Sequence, residues 1–156
     1  MTTWAEFEQD APQLAAVVHR LMSGHKHKVL ATLRKDGSPR VSGTETAFRD
    51  GELWMGSMPG AVKALDLRRD PRMAIHVTSP DPDESDPSSW PGDAKVSGRA
   101  EEVTDPAVLA AHELPGSGAH LFRVSVEEVV WTRVSGDELV IDSWHAGRGF
   151  RRIARK

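Results

Sequence analysis

The segment from Gly56 to Lys63 has the residue types and spacing best suited to binding an anion. A predicted strand ends at Ser57, a glycine-containing turn follows, and a short helix is expected over 61–69. Free backbone N–H groups at a helix start favour negative charge. Ser57 could donate a hydroxyl hydrogen bond, and Lys63 could supply a positive charge. The pattern predicts a phosphate site; a capped helix with surface cations is the alternative.

Arg40 begins the neighbouring predicted strand and shares a face of that strand with Ser42 and Thr44. Residues that lie opposite each other on one face of a sheet are neighbours. Pairing of the two strands could therefore bring the Arg40 guanidinium to the same anion, which would then be held by two strands and a helix.

Patterns of several other catalytic sites are missing from the sequence. There is no cysteine, which excludes thiolate nucleophiles, zinc–thiolate sites and iron–sulfur clusters. A nucleophile elbow has the pattern G-x-S-x-G. Residues 56–60 read G-S-M-P-G, in which the serine directly follows the first glycine, so they do not match it. No Walker loop or dinucleotide-binding glycine loop is present. His25 and His27 have no third ligand of suitable spacing, so no metal site is predicted.

Length and composition indicate one globular domain over residues 1–156. The chain has 20 basic and 23 acidic side chains and a formal net charge of −3, which argues against a general nucleic-acid binder. No apolar run approaches the ~18 residues of a membrane helix. The N-terminus carries Glu6, Glu8 and Asp10 without the pattern of a secretory signal, so we expect a cytoplasmic protein.

An N-terminal helical segment is expected over residues 1–24. Thr3 and Glu6 have the spacing of a capping box. Asp10 followed by Pro12 predicts a second helix with Asp10 as its N-cap. Apolar residues then recur at helical spacing at Leu14, Val17, Val18 and Leu21.

From His27 the hydrophobic period changes to two, and seven strands are predicted. Asp36-Gly37 and Asp50-Gly51 separate strand-like runs, which is typical of hairpins. An irregular phase at Glu127-Glu128 indicates a β-bulge. The predicted strands cover 27–34, 39–48, 52–57, 72–78, 94–103, 121–134 and 138–144. The short turns between most of them favour a closed antiparallel barrel with few short helices.

Two charged segments lie outside these strands. Residues 79–92 contain four prolines and an acidic cluster at 81–86, and we expect a flexible loop. Residues 147–156 hold five basic side chains and no acid. A frayed, solvated tail is the ordinary interpretation of such a run, and contact with an anionic ligand or a partner subunit is the alternative.

Five short segments occur in an informative order. They are Val29–Leu33, Asp36–Ser42, Asp50–Trp54, Lys63-x-x-x-Leu67-x-x-x-Pro71-Arg72 and Gly92–Ala100. Together they resemble the pyridoxamine 5'-phosphate oxidase-like family of split β-barrel flavoproteins, in an actinobacterial-type branch. The resemblance covers residues 26 to 145.

The resemblance implies a mainly β fold: an antiparallel six- to seven-stranded split barrel with an N-terminal helix, assembled as a homodimer. It also implies a cofactor, FMN or in related branches the deazaflavin F420, in a groove between two subunits. The residues that match positions of this groove are Arg40, Val41, Ser42, Gly56, Ser57, Met58 and Lys63, with Lys95 and Trp144 as further candidates. An arginine precedes the phosphate-binding lysine in the oxidase proper, whereas this chain has Val62.

The resemblance further implies a flavin-dependent oxidoreductase that transfers hydride between FMN and a small organic molecule. A flavin carries this chemistry itself and the protein positions it, which agrees with the lack of a recognisable catalytic triad. Residues 144–152 do not match the oxidase ending that grips vitamin B6 phosphates, so a true pyridoxamine-phosphate oxidase is not expected. An F420-dependent reductase, with the basic residues of 148–156 attracting that cofactor's acidic tail, and a non-catalytic flavin- or haem-binding protein remain alternatives.

Overall fold

Eight β-strands and four short α-helices form along the chain, which a computed structural model describes over residues 1–156. The helices are α1 (Trp4–Asp10), α2 (Pro12–Ser23), α3 (Val62–Arg69) and α4 (Pro106–Ala110). The strands are β1 (His27–Leu33), β2 (Pro39–Arg49), β3 (Glu52–Ser57), β4 (Arg72–Val77), β5 (Asp93–Glu102), β6 (His120–Ser135), β7 (Glu138–His145) and β8 (Gly149–Arg155).

All eight strands belong to one antiparallel sheet with the order β3-β2-β1-β4-β5-β6-β7-β8. A further pairing of β3 with β6 closes β1 to β6 into a six-stranded barrel. The 16-residue strand β6 makes this possible, because its segment 120–124 pairs with β3 and its segment 128–135 pairs with β7. β7 and β8 therefore extend the sheet beyond the barrel. The predicted mainly β antiparallel barrel is confirmed, with one strand more than expected.

The additional strand is β8, where the charge pattern predicts a frayed basic tail. The expectation of a frayed tail is wrong, because β8 pairs with β7 from His145–Gly149 to Leu139–Arg155. Buried Asp142 of β7 accepts a hydrogen bond from Arg152 Nε over 2.6 Å and fixes β8 to the sheet. The segment 149–155 lacks the alternation of apolar and polar residues that marks a strand, because Arg151 and Arg152 are consecutive, so the sequence pattern missed it.

The bulge predicted near Glu127 is confirmed. Ser97 lies opposite Glu128 and Gly98 lies opposite Val126, so Glu127 is the extra residue. At Gly98 the two strands approach so closely that a Cβ atom would lie 1.9 Å from the carbonyl oxygen of Ser125. Only glycine permits this contact.

The N-terminal helices pack against the barrel core. The capping box is confirmed, with Thr3 Oγ1 accepting from the Glu6 amide over 3.1 Å and Glu6 Oε2 accepting from the Thr3 amide over 2.6 Å. The N-cap of α2 is Ala11 and not Asp10. Asp10 ends α1 instead, and its carboxylate accepts a hydrogen bond from the Trp144 indole over 2.5 Å.

The buried face of α2 overlaps only in part with the predicted apolar positions Leu14, Val17, Val18 and Leu21. Leu14 and Val18 are buried as the spacing suggests, and Ala15 and Met22 are buried with them. Val17 and Leu21 are only partly buried. The core also takes aromatic residues, since the ring of Trp4 lies 4.6 Å from Phe48 and that of Phe7 lies 4.9 Å from Trp144.

The acidic segment 79–92 is held at three points. Ser79 Oγ donates to the Gly92 carbonyl over 2.8 Å, and the Trp131 indole donates to the Pro91 carbonyl over 2.8 Å. Ser88 Oγ accepts from the Gly136 amide over 2.9 Å, in the turn between β6 and β7. The four acidic side chains of the segment point to solvent.

None of the helices has the length and apolar character that a membrane-spanning helix requires.

Candidate functional site

A groove of about 950 Å³ lies over the outward face of β2 and β3. On this face Glu45 lies opposite Gly56 and Ala47 lies opposite Trp54. The segment 112–115 after α4 lines one part of the groove, and Met58 and Lys63 line another. A groove of this volume is large enough for a small-molecule ligand.

Four of the predicted site residues line this groove: Gly56, Ser57, Met58 and Lys63. Lys63 Nζ donates a hydrogen bond to the main-chain carbonyl of Gly43 over 2.6 Å. Burial lowers the pKa of Lys63, and the nearby Glu45 carboxylate opposes this shift. The lysine therefore stands at the groove in partly dehydrated surroundings, where an anion would be attracted strongly.

The turn before α3 leaves polar groups for a ligand. The Ser57 hydroxyl is buried and has no hydrogen-bond partner in the protein. No side chain caps the start of α3, whose N-cap is Ala61, so the first backbone N–H groups of this helix remain available. A Cβ atom at Gly60 would meet nothing within 4 Å, which leaves open space at the turn. These donors beside Lys63 fit a phosphate group.

Arg40 lies away from this groove and is held by an ion pair. Its Nε donates to Asp66 Oδ2 over 2.7 Å, and Thr32 and Arg69 donate to the same buried carboxylate over 2.9 and 3.0 Å. Burial by itself would raise the pKa of Asp66, but hydrogen bonds from Arg40, Arg69 and Thr32 hold this pKa below its ordinary value. Arg40 therefore ties β2 to α3 and supports the helix that carries Lys63.

The other four candidates lie outside the groove lining. Val41 is 69% exposed on the outward face of β2, and the Ser42 hydroxyl is buried without a partner. Lys95 is exposed on β5. Trp144 is buried in the core, where its indole is bound to Asp10. None of the four is part of the groove lining, although Ser42 directly precedes Gly43, whose carbonyl accepts the hydrogen bond from Lys63.

Sequence reasoning missed part of the groove. The residues concerned are His27, Gly43, Thr44, Glu45, Thr46, Ala47, Phe48, Arg49, Trp54, His112, Glu113, Leu114, Pro115 and Leu121. The alternation of β2 places Glu45, Ala47 and Arg49 on one face, so strand periodicity could have found these three. Nothing local marks His112, whose ring packs 4.6 Å from Trp54.

A smaller cavity of about 450 Å³ adjoins the groove and shares the four residues 45–48 with it. Its basic lining residues are His19, His25, Lys26 and Lys28. Burial lowers the pKa of Lys28, with Glu45 again opposing the shift. The groove thus continues into a second region where cations predominate.

An exposed apolar surface borders the groove. Its large side chains are Val29, Val41, Met58, Val62 and Leu65, each between 46% and 69% exposed. Val29 lies opposite the groove residue Gly43, and Val62 precedes Lys63 in α3. Clustered apolar surfaces of this kind mark interaction sites.

Solved structures with the same fold differ in the ligands that their names state. The chain superposes on a pyridoxamine 5'-phosphate oxidase-related, FMN binding protein from Nostoc punctiforme with a TM-score of 0.65 and 13% identity, covering 94% of this chain and 96% of that one. For a heme binding protein from Mycobacterium smegmatis the TM-score is 0.58 and the identity 15%, with 90% and 87% covered. For an F420 reductase the TM-score is 0.55 and the identity 21%, and the match covers 71% of this chain and 94% of that one.

Sequence comparison is decisive at the level of the family. No functionally curated protein matches the chain. Residues 14–130, which include all of β1 to β5 and most of β6, match the family described as pyridoxamine 5'-phosphate oxidase. Because this match covers most of the chain, the protein belongs to the pyridoxamine 5'-phosphate oxidase family.

Proposed function

We propose that the protein is an FMN-dependent oxidoreductase that works as a homodimer and acts on a small organic molecule. One observation carries this proposal: Lys63 and Ser57, whose hydroxyl has no partner in the protein, line the same groove, and no side chain caps the start of α3, which carries Lys63. Such a set suits the phosphate of FMN. When bound, the flavin would supply the hydride-transfer chemistry.

The remaining groove residues suit the rest of such a cofactor. Gly56 on the floor has no side chain, and Leu114 lies over it, with its Cδ2 atom 3.6 Å from where a Cβ atom would be, so a flat ring system would contact Leu114 above β3. Trp54 and Leu114 offer apolar contact, and the 112–115 segment would shield the ring from water. Arg49 donates a hydrogen bond to the Ala111 carbonyl, which holds that segment next to β2. The protein's part is to bind, orient and exclude solvent.

Support for a homodimer comes from the apolar surface of Val29, Val41, Met58, Val62 and Leu65. No part of the same chain covers these side chains, and a second copy would bury them. Since the surface borders the groove, a second subunit placed there would form part of the groove wall. Val41 belongs to this surface, so in a dimer it would lie close to the groove between the two subunits. This agrees with the family resemblance, which implies that Val41 lines the cofactor.

Val62 bears on how firmly the phosphate would be held. It is 53% exposed and stands where the oxidase proper has an arginine. One cation fewer at the phosphate means weaker binding, by about 1.5–3 kcal/mol for a charge-assisted hydrogen bond. We therefore expect FMN to dissociate more readily than from the oxidase proper.

A second candidate is an F420-dependent reductase on the same barrel. The observation that favours it is the adjoining cavity with Lys26 and Lys28, of which Lys26 lies 3.7 Å from Glu45 and Lys28 has no carboxylate partner. A long, acidic extension of a deazaflavin could follow the groove into this cavity. The basic strand β8 supports this candidate less well, because Arg152 is engaged by Asp142 and Lys156 by Asp137.

The experiment is equilibrium binding of FMN and of F420 to the purified protein by fluorescence quenching, with an absorbance spectrum of the protein as isolated. Sedimentation measurements with and without ligand test the link to dimer formation. Tight FMN binding by a dimer is the expected result. A clear preference for F420 would replace FMN by the second candidate. Binding of neither ligand would overturn both, and haem would then be tested.

A further inference from the structure

His120 is a buried residue of β6 that stands beneath the turn preceding α3. It lies opposite Ser57 of β3. Its Nε2 accepts a hydrogen bond from the Gly60 amide over 3.0 Å, and its Nδ1 lies 2.7 Å from Glu102 Oε1. Both ring nitrogens are therefore engaged, one with the turn and one with β5.

These two partners define the protonation state of the ring. A carboxylate oxygen only accepts, so the hydrogen of the contact with Glu102 must sit on Nδ1. The Gly60 amide only donates, so Nε2 must carry a free lone pair. The hydrogen-bond network thus assigns His120 as the neutral ring with its hydrogen on Nδ1.

Arg68 of α3 completes the cluster. Its Nη2 donates to Glu102 Oε1 over 2.9 Å and lies 3.3 Å from His120 Nδ1. The hydrogen bond from Arg68 lowers the pKa of Glu102, burial opposes this, and the contact with His120 adds to the lowering. Glu102 consequently stays ionised and keeps its role as acceptor. The charged groups that face His120 are thus Glu102 from β5 and Arg68 from α3.

We propose that His120 is a positioning residue for the anion-binding end of the groove, acting through its hydrogen bond to the Gly60 amide. Gly60 lies three residues after Ser57 and three before Lys63, in left-handed backbone with φ of 69°. Fixing this turn sets where α3 begins, and so where Lys63 stands relative to Ser57 at the end of β3. The proposal rests on the proposed function, since it takes this end of the groove to hold a phosphate.

The chemistry of the ring makes this support depend on pH. Protonation would place a hydrogen on Nε2, which would then face the Gly60 N–H as a second donor. The hydrogen bond would be lost and the turn released. Acid pH should accordingly weaken phosphate binding at this turn.

The test compares FMN affinity at pH 5.5 and 7.5 for the wild-type protein, His120→Gln and His120→Asn. A glutamine amide oxygen can replace Nε2 as acceptor and does not titrate in this range. An asparagine amide can reach only the Nδ1 position, so the turn loses its acceptor. Ionisation of the FMN phosphate affects all three proteins alike.

At pH 7.5 we expect His120→Gln to bind FMN within about threefold of wild type, and His120→Asn to bind about fivefold or more weakly, as for loss of one hydrogen bond. Wild type should weaken more than His120→Gln between pH 7.5 and 5.5. His76→Gln, which removes an exposed histidine paired with Asp93, should keep the wild-type pH response. Identical pH responses of wild type and His120→Gln would overturn the proposal.

A measurement without cofactor separates this inference from the proposed function. Nitrogen-15 NMR of the ligand-free protein reports the protonated ring nitrogen of His120, and the Gly60 amide shift reports the turn. We expect a hydrogen on Nδ1 and a Gly60 shift that titrates together with the ring. A hydrogen on Nε2, or a Gly60 amide that ignores the ring, would overturn the proposal. A wild-type protein that binds no flavin would overturn the proposed function, while the NMR result would still decide what His120 does.

Discussion

Lys63 Nζ donates a hydrogen bond to the carbonyl oxygen of Gly43 over 2.6 Å, which ties the first turn of α3 to the middle of β2. The cation is thereby fixed at the groove instead of extending into solvent. Its partner is an uncharged carbonyl, so the positive charge remains available to a ligand. This relationship explains how a helix of only eight residues can hold a cation in a defined place.

Lys63→Ala should weaken FMN binding by about 1.5–3 kcal/mol, the range for a hydrogen bond to a charged group. The physical reason is the loss of the cation at the phosphate end of the groove. Fluorescence titration measures the effect. Lys35→Ala is the matched control, because Lys35 is exposed in the turn between β1 and β2, outside the groove lining. Equal losses for the two variants would remove Lys63 from the site.

Asp66→Asn should lower the free energy of unfolding at neutral pH by about 3 kcal/mol, because it removes the charge that pairs with Arg40 and Arg69 in buried surroundings. Urea unfolding measures it. Glu101→Gln removes an exposed pair with Arg123 and should cost under about 1 kcal/mol. A loss as small for Asp66→Asn as for Glu101→Gln would contradict the assigned role.

The ion pairs of Asp66 with Arg40 and Arg69 also make the free energy of unfolding depend on pH, in a direction that can be stated. The folded protein holds the pKa of Asp66 below its ordinary value of 3.8. The contribution of Asp66 is therefore complete above that value and is lost as the pH falls through the lower, folded pKa. The stability difference between wild type and Asp66→Asn should narrow below about pH 4. A difference that stayed constant down to pH 2 would refute this.

Asp142→Asn should loosen β8 from the sheet. Asp142 accepts from Arg133 and from Arg152, at 2.9 and 2.6 Å, and hydrogen bonds from these two guanidiniums offset the burial that would raise the pKa of this carboxyl. Hydrogen exchange should become about tenfold faster for the amides of 149–155 and stay unchanged in β5. Lys156→Ala, which removes an exposed pair with Asp137, should leave the exchange of β8 nearly unaltered.

Gly98→Ala should destabilise the fold by about 3 kcal/mol or more, because the new Cβ atom would lie 1.9 Å from the Ser125 carbonyl oxygen. Gly43→Ala provides the contrast, since a Cβ atom there meets nothing within 4 Å. Thermal unfolding of the two variants makes the comparison. A tolerated Gly98→Ala would mean that β5 and β6 can separate at the bulge without cost.

Local signals in the sequence determined much of the barrel. The Thr3–Glu6 capping box and the hairpins at Gly37 and Gly51 each depend on residues near one another in the chain. The bulge at Glu127 forms against Ser97 and Gly98 of β5, but the irregular phase of its own strand indicated it. Residue types at fixed spacings predict such features, because a turn or a cap is stabilised by residues next to it in the chain. The strand–turn–helix order from Gly56 to Lys63 belongs to the same class.

Contacts between distant residues were decided by the tertiary structure alone. The indole of Trp144 is bound to Asp10, 134 residues away, which places this tryptophan in the core. Arg40 forms an ion pair with Asp66 of α3, and His112 of the segment 112–115 packs on Trp54. No periodicity encodes these pairings, because they exist only once the barrel has closed. The sequence by itself determined seven of the eight strands, the turns between them and the strand–turn–helix order of 56–63, whereas barrel closure decided which polar side chains face the groove and which are paired inside the protein.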